Sequence, residues 1–169
     1  MVKVIFVFIK FLFLEIRGMQ MQELAIYKDE VKSEKQYVVF GIDKESFGLD
    51  VSYVNSIIQV PHITFIPQAP EHYSGVIDLR GAIVPVINLR SKMSYEDAEL
   101  THSSRIIITD LVSDKQVGLI VDEVKEVVTI PDDEIMEPSP FLKDDESLIS
   151  GVSNNDGDLI SVFNLELLV

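Results

Sequence analysis

Chemistry in this chain would have to start from very few groups. The imidazoles are His62, His72 and His102. No two of them stand four residues apart, and no His-Glu-x-x-His run exists, so one helix face cannot offer a paired zinc site. There is no cysteine, which removes thiolate metal sites and disulfides and fits a reducing compartment. The stretch Val152 to Phe163 has Asn154, Asp156 and Gly157 near calcium-loop spacing. Its first position is Val152 and its twelfth is Phe163, so the bidentate carboxylate is missing and a hairpin is the better reading. Asp132-Asp133-Glu134 and Asp144-Asp145-Glu146 could imitate paired catalytic acids, but both lie in Pro-flanked polar segments and read as solvated faces. No Ser, His and Asp share a nucleophile context, and no glycine-rich phosphate loop is present. No catalytic residue, metal or cofactor is expected.

One polar constellation stands out. In Gly75-Val76-Ile77-Asp78-Leu79-Arg80-Gly81, a strand would turn Ile77 and Leu79 one way and set Asp78 and Arg80 together on the other face. Such a pair stabilises a fold by only about 0–1 kcal/mol, so it reads either as an exposed surface pair or as a contact point for a partner.

The elements around it come from a duplication. A shift of seventy places Phe47-Gly48-Leu49-Asp50-Val51 on Val117-Gly118-Leu119-Ile120-Val121, and it also matches Val60-Pro61 with Ile130-Pro131. A shift of seventy-six matches Ser74-Gly75-Val76 with Ser150-Gly151-Val152, Gly81 with Gly157, Val86 with Val162, and Asn88-Leu89 with Asn164-Leu165. Arg80 falls on Asp156, so the framework is copied and the arginine is not. A repeat of this kind sets the architecture before single strands are assigned. Strands are expected over Gln36 to Ile42, Ser46 to Val51, Ser74 to Leu89 with a break at Gly81, Arg105 to Leu111, Gln116 to Val121, Val124 to Ile130 and Leu159 to Phe163. Ser52 to Gln59 carries Val54, Ile57 and Ile58 at helical spacing. Pro85 argues for an edge strand or a bulge, and Asn155-Asp156-Gly157-Asp158 is a hairpin turn. Residues 91–104 read as the join between the two copies, and Asn164 to Leu168 as a closing short helix. Short strands with frequent turns predict small barrels or sandwiches. Val51, Val121, Val86 and Val162 should all be buried.

Composition narrows the class further. The 169 residues suffice for one domain or two small ones. A net charge of -14 argues against nucleic acid, whose binding depends on clustered Lys and Arg. Residues 1–18 differ from the rest: Val4 to Ile16 is apolar except for Lys10 and Glu15. That run is too short to span a membrane and has no small-residue cleavage site. It reads as a non-native or disordered N-terminal extension, with Met19 or Met21 as the natural start and no membrane insertion expected. Residues 19–35 read as a flexible leader.

Gly75 through Arg90, ending Ile83-Val84-Pro85-Val86-Ile87-Asn88-Leu89-Arg90, resembles the signature of the CheW family of bacterial chemotaxis coupling proteins. That family typically has Gly-Val-x-Asn-Leu-Arg-Gly-x-Ile-Val-Pro-Val-x-Asp-Leu-Arg. The likeness extends over residues 36–168. It implies a mainly β fold of two SH3-like five-stranded barrels, in units of roughly 36–90 and 105–168 interleaved at the edges. It implies a non-catalytic, monomeric cytoplasmic adaptor that couples methyl-accepting chemoreceptor tips to the regulatory domain of the histidine kinase CheA and is recruited to membrane-bound receptor arrays. By the same resemblance Arg80, Gly75 and Asp78 would serve receptor binding, and Val54, Ser56 and Ile58 kinase or receptor binding. Two departures stand out. Asp78 replaces the usual Asn and Asn88 the usual Asp, and Ser56 stands where a glutamate is common. A related scaffold of a non-motility pathway and a small β-barrel hydrolase are the alternatives. The second lacks any nucleophile and base.

Overall fold

The computed structural model describes residues 33–111, 115–137, 148–155 and 157–168. All of them except Ser33 belong to a compact unit that begins at Glu34. The proposed extension over 1–18, nearly all of the leader, the 144–146 acidic cluster and Asp156 lie outside the described residues.

Among the described residues, ten strands form two five-stranded sheets. They are β1 (Glu34–Ile42), β2 (Glu45–Asp50), β3 (Val54–Gln59), β4 (Tyr73–Leu79), β5 (Ala82–Asn88), β6 (Arg105–Asp110), β7 (Gln116–Val121), β8 (Glu123–Pro131), β9 (Ile149–Asn155) and β10 (Asp158–Phe163). Among the described residues a short helix, α1 (Leu89–Lys92), follows β5, and 3-10 turns cover Val51–Tyr53, Asp132–Glu134 and Leu165–Leu168. The expected mainly β class, the two hairpins at 42–45 and 155–158, and the short closing helix are all present.

Sheet 1 runs β8-β1-β2-β10-β9 and sheet 2 runs β3-β6-β7-β5-β4. Neither sheet coincides with one half of the sequence. Under the duplication β1-β2 corresponds to β6-β7, β3 to β8 and β4-β5 to β9-β10, so the two sheet orders are images of each other. Each sheet therefore joins the hairpin of one copy to three strands of the other. Each sheet has one antiparallel junction between copies, β1 with β8 and β3 with β6, and one parallel junction, with Gly48 opposite Val162 and Gly118 opposite Val86. The same two repeat positions meet twice, with their copies exchanged.

Alternation along the strands builds three apolar layers. Tyr37, Val39, Val128, Ile130, Ile160 and Val162 fill the concave side of sheet 1. Ile77, Val84, Val86, Ile106, Ile108 and Ile120 fill that of sheet 2. Between the sheets lies the largest layer, with Phe40, Phe47 and Phe163 at its centre and Ile87, Leu119, Leu165 and Leu168 around them. Phe40 stacks on Phe47 at 5.7 Å and meets Phe163 edge-on at 6.1 Å. Burying this much branched and aromatic surface is the dominant favourable term.

Three expectations need correction. Ser52 to Gln59 is not helical: after the 3-10 turn the chain enters β3, whose exposure alternates residue by residue, because the Val and Ile side chains there suit a pleated surface better than a helix. Pro85 is not on an edge, since β5 lies between β7 and β4. It is tolerated because pairing with β7 begins only at Val86, so the missing N–H faces no partner. Val51 is only half-buried, because it sits in the 3-10 turn and not in β2. Val121, Val86 and Val162 are buried.

Candidate partner-docking site at the β4–β5 hairpin

Leu79 pairs with Ala82, so Arg80 and Gly81 form a two-residue hairpin loop. Both have positive φ, 55° and 88°, as a type I′ turn demands. Gly81 meets that demand without strain. Asp78 completes the turn: its Oδ1 accepts a hydrogen bond from the Gly81 N–H at 2.7 Å. Arg80 is thus at a turn tip, not beside Asp78 on a strand face. The two residues have different work: Asp78 holds the turn, and Arg80 is displayed by it. Arg80 is exposed and makes no hydrogen bond or ion pair among the described residues. The second copy repeats the device, with Asn154 Oδ1 accepting from the Gly157 N–H at 2.9 Å and Gly157 at φ 99°.

Gly75 works from below. It is buried, with φ 137°, and a Cβ there would collide with the Thr64 carbonyl. That close approach closes the second sheet on itself. Thr64 N–H donates to the Val76 carbonyl at 2.8 Å, and Val76 N–H donates to the Thr64 carbonyl at 2.9 Å. Gly75 offers no side chain or surface of its own, and any effect it has on binding passes through the hairpin it anchors.

Val54, Ser56 and Ile58 share the less exposed side of β3. Val54 packs on the inter-sheet layer and Ile58 on the sheet 2 interior, while Ser56 pairs with Ile108. In the sheet order β6, β7 and β5 separate β3 from β4. The structure brings Arg80, Asp78 and Gly75 together on one hairpin and leaves Val54, Ser56 and Ile58 apart from them, packed inward.

Sequence reasoning missed the groove next to the hairpin. Ala82, Ile83, Val84 and Pro85 form one wall and Asp110, Lys115 and Gln116 the other, around an open volume of about 690 Å³. It exists because β5 and β7 diverge before Val86 meets Gly118. Ile83 is 69 % exposed on its wall. Asp110 is occupied: Asn55 Nδ2 donates to it at 3.0 Å and Gln116 Nε2 at 2.9 Å. Those two hydrogen bonds hold its carboxyl below the usual range. Lys115 therefore gives a cationic side to a groove with one apolar and one polar wall. The available signal was Pro85, which marks where pairing stops. Ile83 and Leu159 are repeat mates and both exposed, as are Ile57 and Val127. Outward apolar positions have been copied to both sheets.

Among the described residues no three His, Cys, Asp or Glu groups converge as a metal site. His72 packs on Tyr73 at 4.8 Å, and burial, with Lys92 nearby, pushes its pKa down. No described helix is long and apolar enough to cross a membrane. The displayed cation, the adjoining groove and the hydrogen-bonded turn are features that partner-binding surfaces use.

Comparison with known proteins identifies the family. The family profile described as CheW-like domain matches residues 36–169. The chemotaxis protein CheW of Bacillus subtilis is 32% identical over 136 residues, covering 80% of this chain and 86% of that protein. The chemotaxis protein CheW of Thermotoga maritima is 29% identical over 139 residues, covering 80% and 88%. Among solved structures, the scaffolding protein CheW from Thermoanaerobacter tengcongensis aligns with a TM-score of 0.73 at 35% identity, covering 79% of this chain and 90% of that one.

Proposed function

The chain belongs to the CheW-like family and is a chemotaxis coupling adaptor, and we propose that it acts by holding a chemoreceptor tip and the histidine kinase CheA together without catalysing a reaction. The receptor tip docks at the β4–β5 hairpin, with Arg80 as its charged contact and Ile83 and Pro85 as its apolar floor. The kinase's regulatory domain occupies a separate surface. Working in the cytoplasm, the adaptor joins receptor arrays by this contact.

The observation that carries the reading is Arg80 itself. The turn places an arginine in a conformation that side chains rarely adopt, and no described neighbour uses its charge. A residue held out in this way suits a partner better than a fold. Two surfaces on one body raise the effective concentration of the two partners without new chemistry, and coupling then requires contacts that differ between signalling states.

The test is Arg80→Ala, measured for receptor-tip binding, kinase-domain binding and receptor-dependent kinase activation. Kinase binding should persist while receptor binding and activation fall. Equal loss of both bindings, or of neither, would overturn the assignment.

A further inference from the structure

Away from the hairpin, the structure holds one elaborate charge cluster whose place the docking function has not explained. Arg90, in α1 at the end of sheet 2, grips Asp122 with both arms of its guanidinium: Nε donates to Oδ1 at 2.8 Å and Nη2 to Oδ2 at 2.7 Å. Its Nη1 donates to the Glu96 carbonyl at 2.8 Å. Asp122 lies where the chain leaves β7 of sheet 2 for β8 of sheet 1. It also accepts from the Asp43 N–H at 2.7 Å, and its own N–H donates to the Gly41 carbonyl at 3.1 Å. Asp43 is in the β1–β2 turn of sheet 1, with φ 56°. One carboxylate thus joins the helix after sheet 2, the crossover, and a turn of sheet 1. Planar two-point pairing of this kind fixes orientation as well as distance.

The segment after Arg90 reinforces the same side. The Tyr95 hydroxyl donates to Glu45 at 2.8 Å, and its ring meets Phe47 edge-on at 6.5 Å. Each partner lies in β2 of sheet 1. Arg90 is well shielded, with its side chain 14 % exposed. Its mutual hydrogen bonds with Asp122 are the largest influence on both groups, raising the arginine's pKa and lowering the carboxylate's. Among the described residues the remaining ion pair outside this cluster, Lys125 with Glu123 at 3.9 Å, is exposed at both ends.

The duplication supplies an internal control. The repeat mate of Arg90 is Glu166, and that of Asp122 is Ser52. On that side the Glu166 carboxylate accepts an exposed hydrogen bond from the Tyr53 hydroxyl at 3.2 Å, and the backbone N–H groups of Ser52 and Glu166 donate to their local cap residues Asp50 and Asn164. The framework was copied and the ion pair was not, as with Arg80.

We propose that Arg90 and Asp122 form a one-sided clamp that sets the angle between the two sheets, making them positioning residues for coupling rather than docking residues. This rests on the adaptor reading in one respect: with the receptor tip on the sheet 2 hairpin and the kinase on sheet 1, where Val127 and Leu159 are exposed, the partners are brought together correctly only if the sheets keep a fixed relation. The clamp touches neither the β4–β5 turn nor the groove, so breaking it should leave each partner's separate binding intact while disturbing their joint geometry.

The chain has no cysteine, so spin labels can go on Gln59→Cys and Thr129→Cys without background. Both positions are exposed, one in β3 and one in β8. Pulsed dipolar distances on the isolated protein then report the sheet-to-sheet geometry. Arg90→Met should displace or broaden the distribution. Arg90→Lys, which keeps the charge, should recover most of it, and Tyr53→Phe should leave it unchanged. Asp122→Asn, closer in shape, serves if Arg90→Met does not fold. Receptor-dependent kinase activation should fall about 5-fold or more in Arg90→Met, with separate receptor and kinase binding unchanged. An undisturbed distribution in both clamp variants, or equal broadening by Tyr53→Phe, would overturn the clamp. Altered distances with full activation would overturn its positioning role. The distances need no partner, so the clamp stands or falls even if wild-type protein binds neither receptor nor kinase, a result that would sink the adaptor reading alone.

Discussion

Replacing Arg80 with Asn should make the protein more stable and less useful. Arg80 has φ 55° at the first loop position of its turn. A non-glycine residue in the left-handed region costs roughly 1–2 kcal/mol, and Asn is among the few that reduce this cost. Arg80 gives up nothing in exchange, because it is exposed and makes no bond among the described residues. The hydrogen bond from the Gly81 N–H to Asp78 is untouched. A gain of about 1 kcal/mol should appear as a rise of about 3 °C in a thermal melt for a chain of this size. Docking should move the other way. Loss of a charged anchor at an interface costs about 2 kcal/mol, close to a thirtyfold drop in affinity. Arg80→Ala is the control: Ala keeps the conformational strain, so its stability should stay within about 0.5 kcal/mol of wild type while affinity falls equally. Differential scanning calorimetry and receptor-tip titration on the three proteins decide it. A lower melting temperature for Arg80→Asn would mean that the side chain holds the fold through a contact. A higher one with unchanged affinity would mean that the exposed arginine is not the anchor.

Other substitutions follow from the same geometry. Val86→Asp and Val162→Asp put a carboxylate into fully packed strand positions and should each destabilise by about 4 kcal/mol or more; half-buried Val51→Asp should cost clearly less, as read by urea unfolding. Gly75→Val should break the Thr64–Val76 bridge and lose receptor binding together with stability, unlike Arg80→Ala, a difference that paired melts and titrations would expose. Asp122 has its carboxyl pKa lowered by Arg90, so it stabilises the fold above the carboxylate's unfolded value, and that contribution is lost as pH falls through the depressed folded value. Asp122→Asn should therefore flatten the acid limb of a stability–pH curve. Burial, then the hydrogen bond to Glu45, pushes the Tyr95 hydroxyl up to about 12; its stabilisation is complete below the unfolded value near 10 and fades as pH rises through the folded one, a limb that Tyr95→Phe should remove in an alkaline melt series.

The sequence made the strands legible wherever alternation and turn residues agreed. Asn155 to Asp158 and the Gly81 break announce their hairpins by residue type alone, and the repeated Gly48-Leu49 and Gly118-Leu119 announce a duplicated framework. It was silent on pairing. Nothing in the strands of either copy says that β5 will choose β7, because the preference lies in contacts between residues more than thirty positions apart. Ser52 to Gln59 misled because its apolar residues fit a helix by spacing and a strand by branching, and burial decided between them. The site divided in the same way. Arg80 was identifiable as an isolated charge in a copied frame, whereas its place at a turn tip depended on the register of Leu79 with Ala82. The groove depended on where a neighbouring strand stops pairing, and Arg90 on a crossover 32 residues away.

The reciprocal exchange between the copies has a consequence for how the chain is made. Synthesis proceeds from β1 toward β10, and the hairpins β1-β2 and β4-β5 can close as soon as they emerge. Neither can be incorporated into a finished sheet at that point. The β5 strand waits for β7, and β2 waits for β10, so the first sheet to be completed is the second in name, and its partner closes only with the last strand synthesised. A nascent chain halted after β5 carries two hairpins with exposed apolar faces and no complete sheet. Ribosome-bound intermediates of that length are where chaperones, or aggregation, would meet this protein.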